Sequence, residues 1–208
     1  MVARQGSLFD RGGPVEPGAE AMCVTRTDLG DGAWIDVGRS WLGGADALFD
    51  RLFHAVEWRA ERRPMYDRMV DVPRLIRFYD VGEPLPDPDL DQVREALVDR
   101  YRHEVGGPFC TAGLCLYRDG RDSVAWHGDR IGRGSTHDTL VAIISLGSRR
   151  RMLFRPRRGG RARRYELGPG DLLVMGGSCQ RTWDHAIPKT AQAVGPRISV
   201  QFRPSRVR

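Results

Sequence analysis

Lysine is almost missing from this chain: Lys189 is the only one among 33 basic residues, so nearly all the positive charge is arginine. No apolar run approaches the roughly 18–20 residues that a membrane span needs. The opening stretch MVARQGSLFDRGGPVEPG has no apolar core of the secretory type. The expectation is therefore a cytoplasmic chain without a membrane partner. No two of the four cysteines, Cys23, Cys110, Cys115 and Cys179, form a CxxC pair or stand at zinc-ribbon spacing. That excludes a sequence-evident structural zinc site and favours reduced thiols. No internal repeat is visible, which removes solenoids and propellers.

What is present fits one core. At 208 residues the chain has room for a single sizeable domain, and a monomer is the expectation. The net charge of +6 tilts the partner towards a polyanion, because arginines that meet phosphates release condensed counterions. Residues 1–30 are rich in Gly, Pro and charge and read as a mobile leader ahead of a single domain at 31–208. Within that domain, 34–37 reads as a short strand. An amphipathic helix is expected over 45–58, where Leu48, Phe49, Leu52 and Val56 share a face. A strand is expected at 74–79. A second helix follows Asp87 as N-cap and Pro88 at its first position, with Leu90, Val93, Leu97 and Tyr101 on one side.

Beyond Gly106 the period changes from helical to alternating. Strands are expected at 111–117, 123–128, 139–146, 151–155, 163–167, 171–175 and 197–203, several of them separated by turn signals such as Gly159-Gly160 and Gly168-Pro169-Gly170. Helices first and then many short strands give a mostly β chain with flanking helices (α+β), a sandwich or barrel at 107–208 supported by residues 31–106.

The chemistry concentrates in Trp126-His127-Gly128-Asp129. On a strand, residues i and i+2 share a face, so His127 and Asp129 can reach one ion. His185 lies 58 positions further on, in the polar setting Thr182-Trp183-Asp184-His185. Two histidines and one carboxylate on one triangular face leave positions open, which suits Fe(II); zinc accepts the same donors, so the trio alone does not choose the metal. The last strand adds a second constellation. Ile198, Val200 and Phe202 alternate with Arg197, Ser199, Gln201 and Arg203. One face is apolar, and the other carries two guanidinium groups, a hydroxyl and an amide. Arginine pairs bidentately with carboxylates, and at a rise of about 3.3 Å per residue the two lie about 20 Å apart. They would approach a small dicarboxylate from opposite ends.

The order HxD, distant His and R-x5-R resembles the AlkB-like dioxygenases that depend on 2-oxoglutarate and Fe(II). Leu116-Tyr117-Arg118-Asp119-Gly120 and Trp183-Asp184-His185-Ala186-Ile187-Pro188-Lys189 agree with it. The resemblance covers roughly residues 34–205 and implies a double-stranded β-helix, or jelly roll. It implies Fe(II), 2-oxoglutarate and O2, and oxidative removal of alkyl groups from nucleobases with release of an aldehyde. It makes His127, Asp129 and His185 the catalytic iron ligands, and Arg197 with Tyr117 the partners of the distal 2-oxoglutarate carboxylate. Arg203 then supports the metal-proximal end near Asp129, and Ser199 and Cys115 share the co-substrate face. It also makes 58–79 a nucleotide-covering lid, with Trp58, Met65, Tyr66 and Tyr79 offered for stacking on an extruded base. The chain departs from the family at Cys115, where Asn is common. It departs again after Asp129, where Arg130, Ile131 and Gly132 replace acidic residues that read the damaged base.

Two further features concern partners. Arginines crowd the stretch 149–164 around Gly159-Gly160, reading as a basic hairpin whose Arg157, Arg158 and Arg161, together with Arg130, could grip a nucleic-acid backbone, DNA before RNA. Gln5-Gly6-Ser7-Leu8-Phe9 resembles the peptide that docks on bacterial sliding clamps, with Gln5, Leu8 and Phe9 as anchors. Two alternatives stay open at this point: a 2-oxoglutarate hydroxylase of a protein or small molecule, and a catalytically silent nucleic-acid-binding homologue.

Overall fold

Two strands, β5 (Thr111–Tyr117) and β7 (Val141–Gly147), are buried at every residue, as strands covered on both faces must be. They lie inside an eight-stranded sheet. The computed structural model describes residues 14–18, 23–65, 68–130 and 132–207, with the backbone alone at 63–65 and 68–71. In chain order the other strands are β1 (Val24–Gly30), β2 (Ala33–Gly38), β3 (Arg59–Met65), β4 (Arg68–Tyr79), β6 (Val124–His127), β8 (Arg150–Pro156), β9 (Arg163–Leu167), β10 (Leu172–Gly177), β11 (Trp183–Ile187) and β12 (Arg197–Arg203). The helices are α1 (Ala45–Ala55), α2 (Asp89–Arg100) and the single-turn α3 (Cys179–Thr182).

The large sheet runs β1-β2-β10-β7-β12-β5-β4-β3 and the small one β6-β11-β8-β9, all pairs antiparallel. This is the mostly β jelly roll that the resemblance implies. Alternation sorts the side chains of the central strands. Leu114, Leu116, Ala142, Ile144, Ile198, Val200 and Phe202 face one cluster, where α1 and α2 bury Leu48, Phe49, Leu52, Leu90, Val93 and Leu97. Cys115, Tyr117, Val141, Ile143, Leu173 and Met175 face the other way, towards Met152, Phe154, Trp183 and Ile187 of the small sheet. α1 lies over β7 and comes so close that a Cβ on Gly147, at φ +78°, would stand 2.7 Å from the Phe49 ring.

Three expectations change. The leader does not extend to residue 30: Val24–Gly30 is a strand paired with β2 through Arg26↔Asp36 and its neighbours, and Arg26 clamps Asp36 with bonds of 2.8 and 2.9 Å. As an edge strand, β1 shows little apolar period. Val15 is also buried, and Gly18 N–H donates to the Trp41 carbonyl at 3.1 Å. Residues 59–65 and 68–73 belong to the paired strands β3 and β4, which extend the large sheet beyond β5. Finally, 183–187 is a strand that alternation does not announce, because Asp184 and His185 interrupt five short residues.

Candidate metal centre and co-substrate cleft

Strand pairing puts His127 of β6 directly opposite His185 of β11, with ring centroids 4.3 Å apart. Asp129 lies just beyond the end of β6, not on the strand. A turn through Gly128 brings it back, and a Cβ on Gly128 would fall 2.6 Å from the Gln180 carbonyl oxygen. Gln180 of α3 fixes the turn by accepting from the Asp129 N–H at 2.8 Å. One donor atom from each of His127, Asp129 and His185 then lies within 4.8 Å of the others.

The donors are in the protonation states a cation requires. Nδ1 of His127 donates to the Ala125 carbonyl at 2.8 Å, which leaves Nε2 with its lone pair, 3.8 Å from Asp129 Oδ1. Burial lowers the His127 pKa even though the ring opens on the cleft. Burial and the neighbouring imidazole push His185 down to about 3, so it is neutral at physiological pH. Burial alone would raise Asp129, but Arg203 and the two imidazoles outweigh it and hold the carboxyl at about 2. Arg203 Nε donates to Asp129 Oδ2 at 2.7 Å, so the outer oxygen is occupied and Oδ1 faces the histidines. This donor set fits Fe(II) held by two imidazoles and one carboxylate.

A cleft of about 530 Å3 opens over these residues, lined also by Tyr117, Cys115, Ser199, Gln201 and Arg203. Tyr117 of this lining pairs in register with Arg197, which is buried and is not itself a lining residue. Arg197 Nε donates to Ser145 Oγ at 3.0 Å, whereas its buried Nη1 has no partner among the described residues. A buried guanidinium nitrogen left without an acceptor is costly, and the distal carboxylate of 2-oxoglutarate would supply one. Burial pushes the Tyr117 hydroxyl up to about 12, so it is a neutral donor at physiological pH. The residues therefore fit both the metal and the co-substrate. Bound iron supplies the activation of O2; the chain supplies orientation and a dry cleft.

Other expected residues are placed differently. Tyr79 is buried in the helix-side cluster, and Trp58 packs against it while its Nε1 donates to the Phe53 carbonyl at 3.2 Å. Neither ring lines the cleft; both pack in the helix-side cluster. Met65 is described in backbone only, and Tyr66, Ile131, Gln5, Leu8 and Phe9 lie outside the described residues. Arg130 is turned away to Asp184 at 2.7 Å and is not a lining residue. Arg157, Arg158 and Arg161 are exposed around the β8–β9 turn. Sequence reasoning missed Glu61, Arg74, Arg77 and Phe78 on the cleft wall. Arg74 arrives through the pairing Leu75↔Leu116 and Ile76↔Cys115, a register no local pattern reveals. Gln201, by contrast, was visible on the polar face of β12. Its amide points at Cys115 Sγ, 3.5 Å away, and Ser199 Oγ, 3.4 Å away, so a carboxamide stands next to the position where the family commonly has Asn.

Residues 45–203 match the model of the 2OG-Fe(II) oxygenase superfamily. The chain belongs to that family. Within it the chain is AlkB-like: it is 29% identical to human alpha-ketoglutarate-dependent dioxygenase alkB homolog 3 over 222 residues, 97% of this chain and 73% of the human protein. The rat homolog 3 is 30% identical over 221 residues, 97% and 72% of the two chains. The DNA oxidative demethylase ALKBH2 of Arabidopsis thaliana is 30% identical over 140 residues, 55% of this chain and 44% of the relative. Among solved structures, that of OsALKBH1 superposes with a TM-score of 0.60 at 14% identity, covering 86% of this chain and 99% of its own, which speaks to the fold alone. This AlkB-like oxygenase is thus a dioxygenase that uses Fe(II), 2-oxoglutarate and O2.

Proposed function

We propose that the oxygenase removes alkyl groups from N-alkylated bases of DNA, hydroxylating the alkyl carbon so that it leaves as an aldehyde. The observation that carries this reading is the shape of the cleft mouth. The paired strands β3 and β4 continue the large sheet past β5 and contribute Glu61, Arg74, Ile76, Arg77 and Phe78 to a wall above the His–Asp–His group. Such a wall can receive a single extruded base and screen it from water. The exposed arginines of the β8–β9 turn, next to the sheet that carries both histidines, supply a surface for phosphates, which position a strand without reading its sequence. The name of the Arabidopsis relative, a DNA oxidative demethylase, points the same way.

The test is formaldehyde release from oligonucleotides carrying 1-methyladenine or 3-methylcytosine, with iron and 2-oxoglutarate omitted in turn, on DNA and RNA of the same sequence. Release that needs both components and is faster on DNA is the expected outcome. Faster release from RNA would move the substrate; none from either, while 2-oxoglutarate still turns over, would reject a nucleic-acid substrate. We also propose that Gln5, Leu8 and Phe9 dock on a sliding clamp. Pull-down with purified clamp should succeed with the full chain and fail without residues 1–10.

A further inference from the structure

Arg150 opens β8 and is only 4% exposed. Its charge faces no carboxylate at ion-pair distance among the described residues. Instead Nη1 donates to the Asp119 carbonyl at 3.0 Å, and Nη2 donates to the carbonyls of Asp122 and Pro188, both at 2.8 Å. Asp122 stands just before β6, the strand of His127, and Pro188 directly follows β11, the strand of His185. One guanidinium therefore ties together the far ends of both metal-bearing strands. Their own pairing there is irregular, with a bulge between His185↔His127 and Ile187↔Val124. The same guanidinium lies 5.6 Å from the centre of the Tyr117 ring, and Arg197 lies 5.3 Å from that ring. Two buried cations thus flank a hydroxyl-bearing residue of the cleft lining.

We propose that Arg150 is a positioning residue for the co-substrate: it holds Tyr117 and the ends of β6 and β11 in place, and its charge adds to that of Arg197 at the distal carboxylate. The inference rests on 2-oxoglutarate occupying this cleft and not on the nucleic-acid reading. A planar fork suits the task because three carbonyls in different directions must be met at once, which an ammonium on a flexible stem does less well. Carbonyl oxygens lower the cost of burying the cation but do not neutralise it. Its field remains available to a dianionic ligand whose second charge lies at the Tyr117 end.

The test is equilibrium binding to the Fe(II)-loaded protein without oxygen and without nucleic acid. Two ligands are titrated: 2-oxoglutarate, and 2-oxopentanoate, which has the same chain length and no distal carboxylate. Arg150→Met should weaken 2-oxoglutarate about tenfold to hundredfold and 2-oxopentanoate by less than about threefold, with Arg150→Lys between wild type and Met. Arg118→Gln loosens the same loop by breaking the Arg118–Asp122 pair; it should leave both ligands within about twofold. Equal weakening of the two acids, or no change in either, would overturn the proposal and leave Arg150 a fold-stabilising staple. Should Arg150→Met fail to fold, Arg150→Gln removes the charge while keeping hydrogen-bonding capacity, and the same ratio of affinities decides. If 2-oxoglutarate itself does not bind the wild type, it is the co-substrate assignment that fails.

Discussion

The two ends of β12 carry the same residue type in opposite conditions. Arg203 is engaged by its own chain at two nitrogens: its Nε holds Asp129 at 2.7 Å and its Nη2 donates to the Gln201 side chain. Arg197 is more deeply buried, yet its Nη1 has no partner among the described residues. One arginine finishes a site from within the protein; the other is left for a ligand to finish. A buried cation satisfied by its own chain stabilises the arrangement it sits in, whereas an unsatisfied one stores affinity for an anion.

The contrast can be broken most severely at Asp129. Asp129→Ala removes a metal donor and the partner of Arg203 together, and 2-oxoglutarate turnover should be abolished; full activity, measured as succinate formed, would sink the metal assignment. The next largest effect should come from the other face of the strand. Phe202→Ala should cost about 3–5 kcal/mol of stability in denaturant unfolding with no selective change in co-substrate affinity in the folded fraction. The two arginines should then separate by ligand. Arg197→Met should weaken 2-oxoglutarate by about 1.5–3 kcal/mol, the scale of a hydrogen bond to a charged group, while metal affinity stays within about twofold. Arg203→Met should do the reverse, lowering metal affinity about tenfold to hundredfold. Loss of both ligands in both variants would mean the ends of β12 act as one unit. The smallest effect belongs outside the cleft: Arg157→Gln with Arg158→Gln should flatten the salt dependence of DNA binding by about 0.7–0.9 per contact removed, without changing 2-oxoglutarate binding.

Legibility followed the range of the interactions. The polar face of β12 was readable because alternation is a property of seven consecutive residues, and it held as Ile198, Val200 and Phe202 turned to the helices. The His127–Asp129 pair was readable for a reason that needed amendment, since the carboxylate reaches the site through the Gly128 turn, held by the Gln180 side chain of α3. The strand of His185 was not readable, being short and interrupted by polar residues. The stacking expected of Trp58 and Tyr79 failed because an aromatic ring looks the same in sequence whether it faces a cleft or a core.

Local sequence thus determined the chemistry of this oxygenase: which donors could hold a metal, which arginines share a strand face, and where the positive charge gathers. Tertiary structure decided the rest. Only the pairing of β4 with β5 brought Arg74 to the cleft, only the packing of two sheets left Arg197 Nη1 without a partner among the described residues, and only the meeting of three loop carbonyls drew Arg150 beneath Tyr117. Periodicity is set by bond geometry between near neighbours and is written along the chain. Whether a buried charge is satisfied depends on groups up to 80 residues apart, as Arg197 and Tyr117 are, and nothing local records which of them will meet.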